Sequence, residues 1–481
     1  LRYPVSLIVV ALAFFLLPAC ASRAVAGKDT PDLTVFFTSD TRGMLRRCGC
    51  SEGQMGGVSA RASYIKQNMN PGRTLVLDGG DTFFDGLDVD GVKRDFYLLK
   101  AVTITDAIKA TGCDAINAGD FDLALGPEFL EKAVEGRGLS FLSANLSVRQ
   151  EDDNFVNPFP GRIVRDLDGV RAGIAGVVDD RFPYGSFPDA FGKVAVSSQT
   201  DAAAREIKKL AEYSDIVILL AHESIEPVEE LAKRLPGADI ILQGHTNEHM
   251  ETPIVAGGTI VLKGYTMGKY VGRLDLWLNK SGIASGAPSK KISRYEYNVI
   301  PLDESIVPDM EVEGIISGFR SKLKEKALAP GGSYLPGSPE GYAGPDVCRG
   351  CHPAQYENWS KTGHFRAYST LVLTSDQYDP ECLSCHTTGY SYSAADAGGK
   401  VAYRHDGIRD VTCEACHGKG GGHVASHDGG VKGNTDGGMV RTVDEDTCLR
   451  CHDEANSPYF SYLEFLEKGG AHRPASPVTG R

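Results

Sequence analysis

The chain has 481 residues, of which 42% are hydrophobic and 23% charged. This is ordinary composition for two or three folded domains and excludes wholesale disorder. The formal charge is −13 with no block of like charge, which speaks against a nucleic-acid partner, since that would need a clustered basic face.

Residues 5–17 form an apolar run after Arg2. The run is short of the ~20 residues that span a bilayer and reads as a secretory signal. Leu17-Pro18-Ala19-Cys20 resembles a bacterial lipobox, which implies lipidation of Cys20; the alternative is a plain signal peptide cut nearby. The expectation is a protein exported to the periplasmic side and held to the membrane by lipid alone.

Residues 30–300 alternate between apolar strand-like runs and helical periodicity. LTVFFTSD runs to Asp40, TLVLDGGD to Asp81, DAINAGD to Asp120, DIVILLAHE past His222 and ADIILQGHTN past His245. Residues 94–111 and 202–213 have helical period, and GGTIVLKGYT and YVGRLDLWL add further strands. Metal-capable side chains thus recur just past apolar strands, at the edge where open α/β sheets bind ligands. The expected fold class is an α/β two-sheet sandwich with helices outside, followed by a small, mainly helical and irregular domain. Cys48 and Cys50 lie in RRCGCSEGQ and Cys113 precedes the third motif. A disulfide from one of the pair to Cys113 is favoured in an exported protein; a soft-ligand contact is the alternative.

Residues 301–340 join the parts. Residues 307–328 read as a helix, and the Gly/Pro/Ser-rich run after it reads as a linker. Residues 341–475 hold a denser signal. Eight of the twelve cysteines fall into four C-x-x-C-H units: Cys348/Cys351/His352, Cys382/Cys385/His386, Cys413/Cys416/His417 and Cys448/Cys451/His452. This spacing attaches haem c through two thioethers, with the adjacent His as proximal iron ligand. Zinc ribbons also pair C-x-x-C units but do not require His after each, and structural disulfides have no reason to keep the spacing. Four haems in so short a stretch must lie close together and pass electrons. Distal candidates are His364, His423, His405, His427 and His472, with Met439 the single methionine of the region, so bis-His ligation is the default.

The first motif with Tyr356, Trp359 and His364, then CLSCHTTGY and CEACHGKGGGH, resembles the tetrahaem cytochrome c family that works beside hydroxylamine oxidation. The resemblance implies haems in stacked pairs, an electron carrier, redox proteins or other cytochromes as partners, and one haem that keeps an open site.

The motif order over residues 33–280 resembles the 5'-nucleotidase group of calcineurin-like metallophosphoesterases, whose pattern is D-x-H, G-D, G-N-H-[DE], an isolated H and G-H-x-H. Asp40, Gly80-Asp81, His222 and His245 match it. Arg42 replaces the first His, Asp120 the Asn, Phe121 the catalytic His and Asn247 the last His, while Asp122 keeps the acid. The resemblance therefore implies one degraded metal position (Asp40, Arg42, Asp81, Asn247) and one retained (Asp81, Asp120, His222, His245), suited to a single Zn, Mn or Fe; a relic without an ion is the alternative. Arg42 is expected to supply its charge to Asp40 and Asp81. The functional expectation is an electron-transfer cytochrome carrying a degenerate phosphoesterase-like scaffold. A one-metal phosphoester or 5'-nucleotide hydrolase with attached haems, and a haem enzyme acting on a small nitrogen or oxygen species, are the competing readings.

Overall fold

The structure is a computed structural model and describes residues 30–47, 53–86, 89, 93–186, 189–223, 228–245, 250–279, 291–335, 339–396, 401–428, 438–453 and 456–467. Cys20, Cys48, Cys50, Asn247 and His472 lie outside the described residues.

Two six-stranded mixed sheets make up the larger part. The first runs in the order Ile292–Pro301, Tyr270–Leu278, Leu33–Thr38, Thr74–Asp78, Ala115–Asn117 and Phe141–Leu142. The second runs Ile254–Ala256, Thr259–Lys263, Ile240–Gly244, Ile216–His222, Val170–Val178 and Arg162–Leu167. Central strands in both are parallel, and antiparallel strands close both edges of the second sheet and one edge of the first, whose other edge, Phe141–Leu142, is parallel to its neighbour. Strands covered on both faces read as near-continuous apolar runs. Accordingly, every residue of Leu33–Thr38, Thr74–Asp78, Ile216–His222 and Ile240–Gly244 is buried. Val35, Leu75 and Leu77 of the first sheet share one core with Ile174, Ile218, Leu220 and Ile240 of the second. Helices Gln199–Ala211 and Val228–Arg234 cover the outer face of the second sheet through Ile207, Leu210 and Leu231.

Most of these strands stop short of their chemistry-bearing residues. Leu33–Thr38 ends before Asp40, Thr74–Asp78 before Asp81, Ala115–Asn117 before Asp120 and Ile240–Gly244 before His245, while Ile216–His222 ends on His222 itself. The site residues therefore sit at strand ends and in the turns that leave the sheets.

The helix Met310–Leu328 starts at Asp309, whose carboxylate accepts the Val312 amide at 3.0 Å, a standard N-cap arrangement. It buries Val312, Ile316, Phe319 and Leu323 in a core that also holds Phe96 and Tyr403. Inside the stretch expected to be linker, Ser333–Tyr334 pairs in parallel with Arg404 and His405. That pairing extends an antiparallel hairpin, Thr387–Asp396 with Val401–Arg409, which the sequence reading did not anticipate. The attachment motifs lie on short helices, Pro345–Cys351, Pro380–His386, Cys413–His417 and Glu445–Leu449, or on the turns that follow them. The helix Pro353–Trp359 ends before His364, which opens a single 3-10 turn after Gly363. No helix among the described residues is long and apolar enough to cross a membrane.

Candidate metal centre and haem attachment sites

Asp81, Asp120, His222 and His245 come together where the two sheets meet. One ligand-capable atom from each lies within 4.8 Å of all the others. Close approach of the turns depends on glycine. A Cβ on Gly244 would stand 2.6 Å from His222 Nδ1 and 2.7 Å from the Gly79 carbonyl. A Cβ on Gly119 would collide with the backbone nitrogen of Asp81.

The imidazole of His222 is fully buried, and its Nδ1–H donates to the Gly79 carbonyl at 2.8 Å. Such a bond fixes the tautomer and leaves Nε2 to bind a cation. That Nε2 lies 2.5 Å from Asp120 Oδ1 and 3.2 Å from Asp81 Oδ2. His245 Nδ1 lies 2.9 Å from the same Asp120 oxygen. Asp81 Oδ2 and Asp120 Oδ2 are buried without a hydrogen-bond donor. Two carboxylates facing an imidazole nitrogen at these distances require positive charge among them, supplied by a proton or a metal ion. The residues therefore fit a divalent cation, and the mixed carboxylate and imidazole set suits Zn, Mn or Fe.

The electrostatics follow from the same crowding. Burial alone would push His222 down, yet Asp81 and Asp120 carry it well above the ordinary imidazole value. Burial lifts Asp81 to about 6. Burial and the adjacent Asp81 lift Asp122 to about 7. Asp120 resists its burial because His222 and His245 hold it far below the usual carboxylate range.

Backbone strain concentrates here. Asp40, Arg42, Asp81 and His245 all have φ between 50° and 54°. Left-handed conformations at non-glycine residues cost on the order of 1–3 kcal/mol each and gather at functional sites. The 40–43 turn is zipped to the 80–82 turn: Asp40, Arg42 and Gly43 amides donate to the carbonyls of Gly80, Asp81 and Thr82.

At the degraded position, Asp40 accepts from Ser39 Oγ at 2.6 Å and from the His245 amide at 2.9 Å. Arg42 pairs with Asp40 at 3.2 Å. Its guanidinium makes no ion pair with the Asp81 carboxylate, which corrects half of the expected role; only its backbone amide reaches Asp81, through the carbonyl. Phe121, expected in place of the catalytic His, packs on His245 with ring centroids 4.9 Å apart, and the Arg42 guanidinium lies 5.8 Å from the centroid of the same Phe121 ring.

Asp122 is a scaffold rather than a ligand. Its two oxygens accept the amides of Thr82, Phe83 and Gly119. Buried Arg61, paired with Asp78 and bonded to Thr38 and Thr41, went unnoticed in the sequence because a helical arginine carries no local signal of burial. Cys113 is a free thiol that donates to the Ala115 carbonyl. The partners expected for its disulfide, Cys48 and Cys50, lie outside the described residues; Cys113 itself precedes a buried strand and faces inward beside Asp78 and Arg61.

None of the eight attachment cysteines is tied up in a disulfide. Cys348 interacts with Cys413 and Cys385 with Cys451, while Cys416 is also near Cys448 and Cys451, so the third motif approaches both the first and the fourth. His386, His417 and His452 each engage Nδ1 with an oxygen: Ala367 O at 2.6 Å, Val440 O at 2.7 Å and Ser457 Oγ at 3.0 Å. Bonds of this kind orient an imidazole so that its other nitrogen, Nε2, is the one that would meet a haem iron. His352 faces His423 with ring centroids 6.4 Å apart, and His452 faces His364 at 6.0 Å. Metal–imidazole bonds of about 2 Å place two rings that share one ion with centroids roughly 6 Å apart. Both pairs therefore fit a haem iron between them. His427 packs on His423 at 4.6 Å. His405 is fully buried on a strand, its ring neighbours are Tyr334, Tyr390, Tyr392 and Tyr403, and its Nδ1 meets Tyr390 Oη at 2.9 Å.

Residues 347–418 match the family described as cytochrome c554 and c-prime. The snake venom 5'-nucleotidase of Gloydius brevicauda is 22% identical over 63% of this chain and 53% of its own length. The chain spans about half the length of the curated relatives it matches. Among solved structures, the calcineurin-like phosphoesterase YfkN of Bacillus subtilis aligns with TM-score 0.50 at 22% identity, covering 60% of this chain and 97% of that one. The sulfate thiohydrolase SoxB of Thermus thermophilus aligns with TM-score 0.50 at 20% identity, covering 62% of this chain and 61% of that one. Fold, site and likenesses together define two modules on one polypeptide, one metallophosphoesterase-like and one that matches c-type cytochromes. In particular, the larger module is a 5'-nucleotidase-like domain and the smaller a cytochrome c554 domain.

Proposed function

We propose that this protein is an exported electron carrier with four covalent haems, whose phosphoesterase-like domain is a scaffold holding one divalent ion. The observation that carries the reading is the spacing of the His352/His423 and His364/His452 pairs, together with the Nδ1 bonds that orient His386, His417 and His452. Haem c at such positions supplies a one-electron iron couple. His352, His386, His417 and His452 would hold the irons from the attachment side, and His423 and His364, which face His352 and His452, would be available as their second ligands. The paired thiols Cys348/Cys413 and Cys385/Cys451 support haems held in two close pairs. Partners in this reading are redox proteins or other cytochromes. The address is the periplasmic side, with Cys20 as the lipid anchor, in keeping with the extracytoplasmic setting typical of c-type cytochromes and 5'-nucleotidases.

A second reading, metal-dependent hydrolysis of phosphoesters, is favoured by the Asp81/Asp120/His222/His245 cluster alone. Against it, Phe121 stands where an acid–base imidazole would be, and such a group is worth about 10²–10⁴ in rate. The deciding experiment takes the mature protein as isolated. Its intact mass should carry four covalent haems, its spectrum should cycle between oxidised and reduced c-type forms, and 5'-AMP and a phosphodiester with Mn²⁺ should turn over only weakly. Robust phosphoester turnover reverses the ranking, and a mass without covalent haem removes the carrier reading.

A further inference from the structure

The two modules meet at a network of charges around one attachment helix. Arg46 follows Asp40 and Arg42 in the same turn after the strand Leu33–Thr38. Its Nη2 lies 2.7 Å from Asp376, 3.6 Å from Asp379 and 3.3 Å from Cys382 Sγ. Asp376 also receives Arg320, from the helix Met310–Leu328, at 2.6 Å. Lys100, from the helix Arg94–Ala110, binds both oxygens of Glu381 at 2.5–2.7 Å. Asp379 caps the helix Pro380–His386, which carries Cys382, Cys385 and His386. Arg46 and Lys100 thus reach from the phosphoesterase-like module onto the helix that would carry one haem, and Arg46 touches an attachment sulfur itself.

Arg46 is placed with little freedom. Its turn is tied to the metal-site turn by the Asp40, Arg42 and Gly43 amides, and on its far side by Val58 N–H to Leu45 O at 3.1 Å. Its side chain is mostly covered, with 18% relative exposure, and Asp376 with 2% is almost wholly so. Charges held in such surroundings interact far more strongly than in water.

We propose that Arg46 is a positioning residue for electron transfer, supplied by the phosphoesterase-like module, that holds the reduction potential of the haem bonded at Cys382 and Cys385 above the value the surrounding carboxylates would impose. The proposal rests on the four-haem reading above. The Sγ that Arg46 contacts is a thiol in this structure and stands for the thioether of the haem-loaded protein. Reduction adds one electron to the iron and removes one unit of positive charge, so a fixed cation at the attachment edge favours the reduced form. Asp376, Asp379 and Glu381 oppose it; Arg320 and Lys100 lean with it. Loss of Arg46 leaves Asp379 without a guanidinium partner beside that haem.

The test uses the full-length haem-loaded protein, titrated spectroelectrochemically with low-temperature EPR to resolve the individual haems. Intact mass is measured on each sample. Arg46→Gln should lower the potential of one haem by about a tenfold change in its reduction equilibrium, about 59 mV for one electron, and leave the others in place. Arg46→Lys should restore most of the shift. Asp379→Asn removes charge of the opposite sign and should move the same haem upward. It decides the matter even where Arg46→Gln fails to accumulate. Full covalent haem with no potential moved by Asp379→Asn or Arg46→Gln overturns the proposal. So does a common drift of all the haems, which a merely structural role would give. A mass short of four haems in the unsubstituted protein would instead sink the reading beneath it.

Discussion

His222 gathers the metal site around itself. It is fully buried, its Nδ1 is committed to the Gly79 carbonyl, and its Nε2 faces the two carboxylates that His245 also faces. Removing even an outer partner of a metal ligand typically costs about 10–100-fold in affinity. His222→Ala should therefore weaken divalent binding by at least that much, read by titration with Mn²⁺ and by elemental analysis of protein dialysed against buffer. The unsubstituted chain should hold one non-haem ion, because Arg42 occupies the second position with its own ion pair to Asp40. Two non-haem ions per chain would mean that Asp40 ligates metal despite that pair.

At the scale of elements, the helix Met310–Leu328 joins the modules. Phe319 stacks against Phe96 of the helix Arg94–Ala110 with centroids 6.1 Å apart, and the same core takes in Tyr403 of the strand Val401–Arg409. Phe→Ala in a packed core costs about 3–5 kcal/mol. Phe319→Ala should lower stability by that amount in urea, with far-UV and haem-region signals shifting together because both modules lose the same contact. Separate transitions would show that the helix belongs to one module alone. How far such elements were legible in sequence depends on periodicity. Ile216–His222 announces itself by an apolar run that ends on His222, and Ile240–Gly244 by Ile240-Ile241-Leu242 shortly before His245. The hairpin Thr387–Asp396/Val401–Arg409 does not, because Thr388, Tyr392, His405 and Asp406 mix polar and aromatic residues. The ligand set was readable because its residues sit at strand ends in a familiar order. The Gly79 carbonyl, the Arg61–Asp78 pair and the Arg46 contact were not, since each depends on residues far apart in sequence or on a backbone oxygen.

For the molecule as a whole, shared packing sets what can move. Asp32–Arg481 forms one compact unit, with the charge network of Arg46, Lys100 and Arg320 and the Gln54–Asn456 bond joining the two modules. If the protein carries electrons as proposed, exchange with a partner would fall to encounter at the surface, where the long-range field matters. The formal charge is −13, and haem propionates would add to it. Fields of this kind speed the approach of oppositely charged reactants, and the effect dies as salt shortens the screening length to about 8 Å at physiological strength. Oxidation of the reduced protein by a small cationic cobalt complex should slow as ionic strength rises, whereas oxidation by ferricyanide should quicken, both followed by stopped flow at the haem Soret band. Equal salt slopes for the two reagents would mean that electrons leave through a locally neutral face. In that case the carboxylates that give the chain its charge lie away from the exposed haem edges, and the partner would be selected by shape and apolar contact instead of charge.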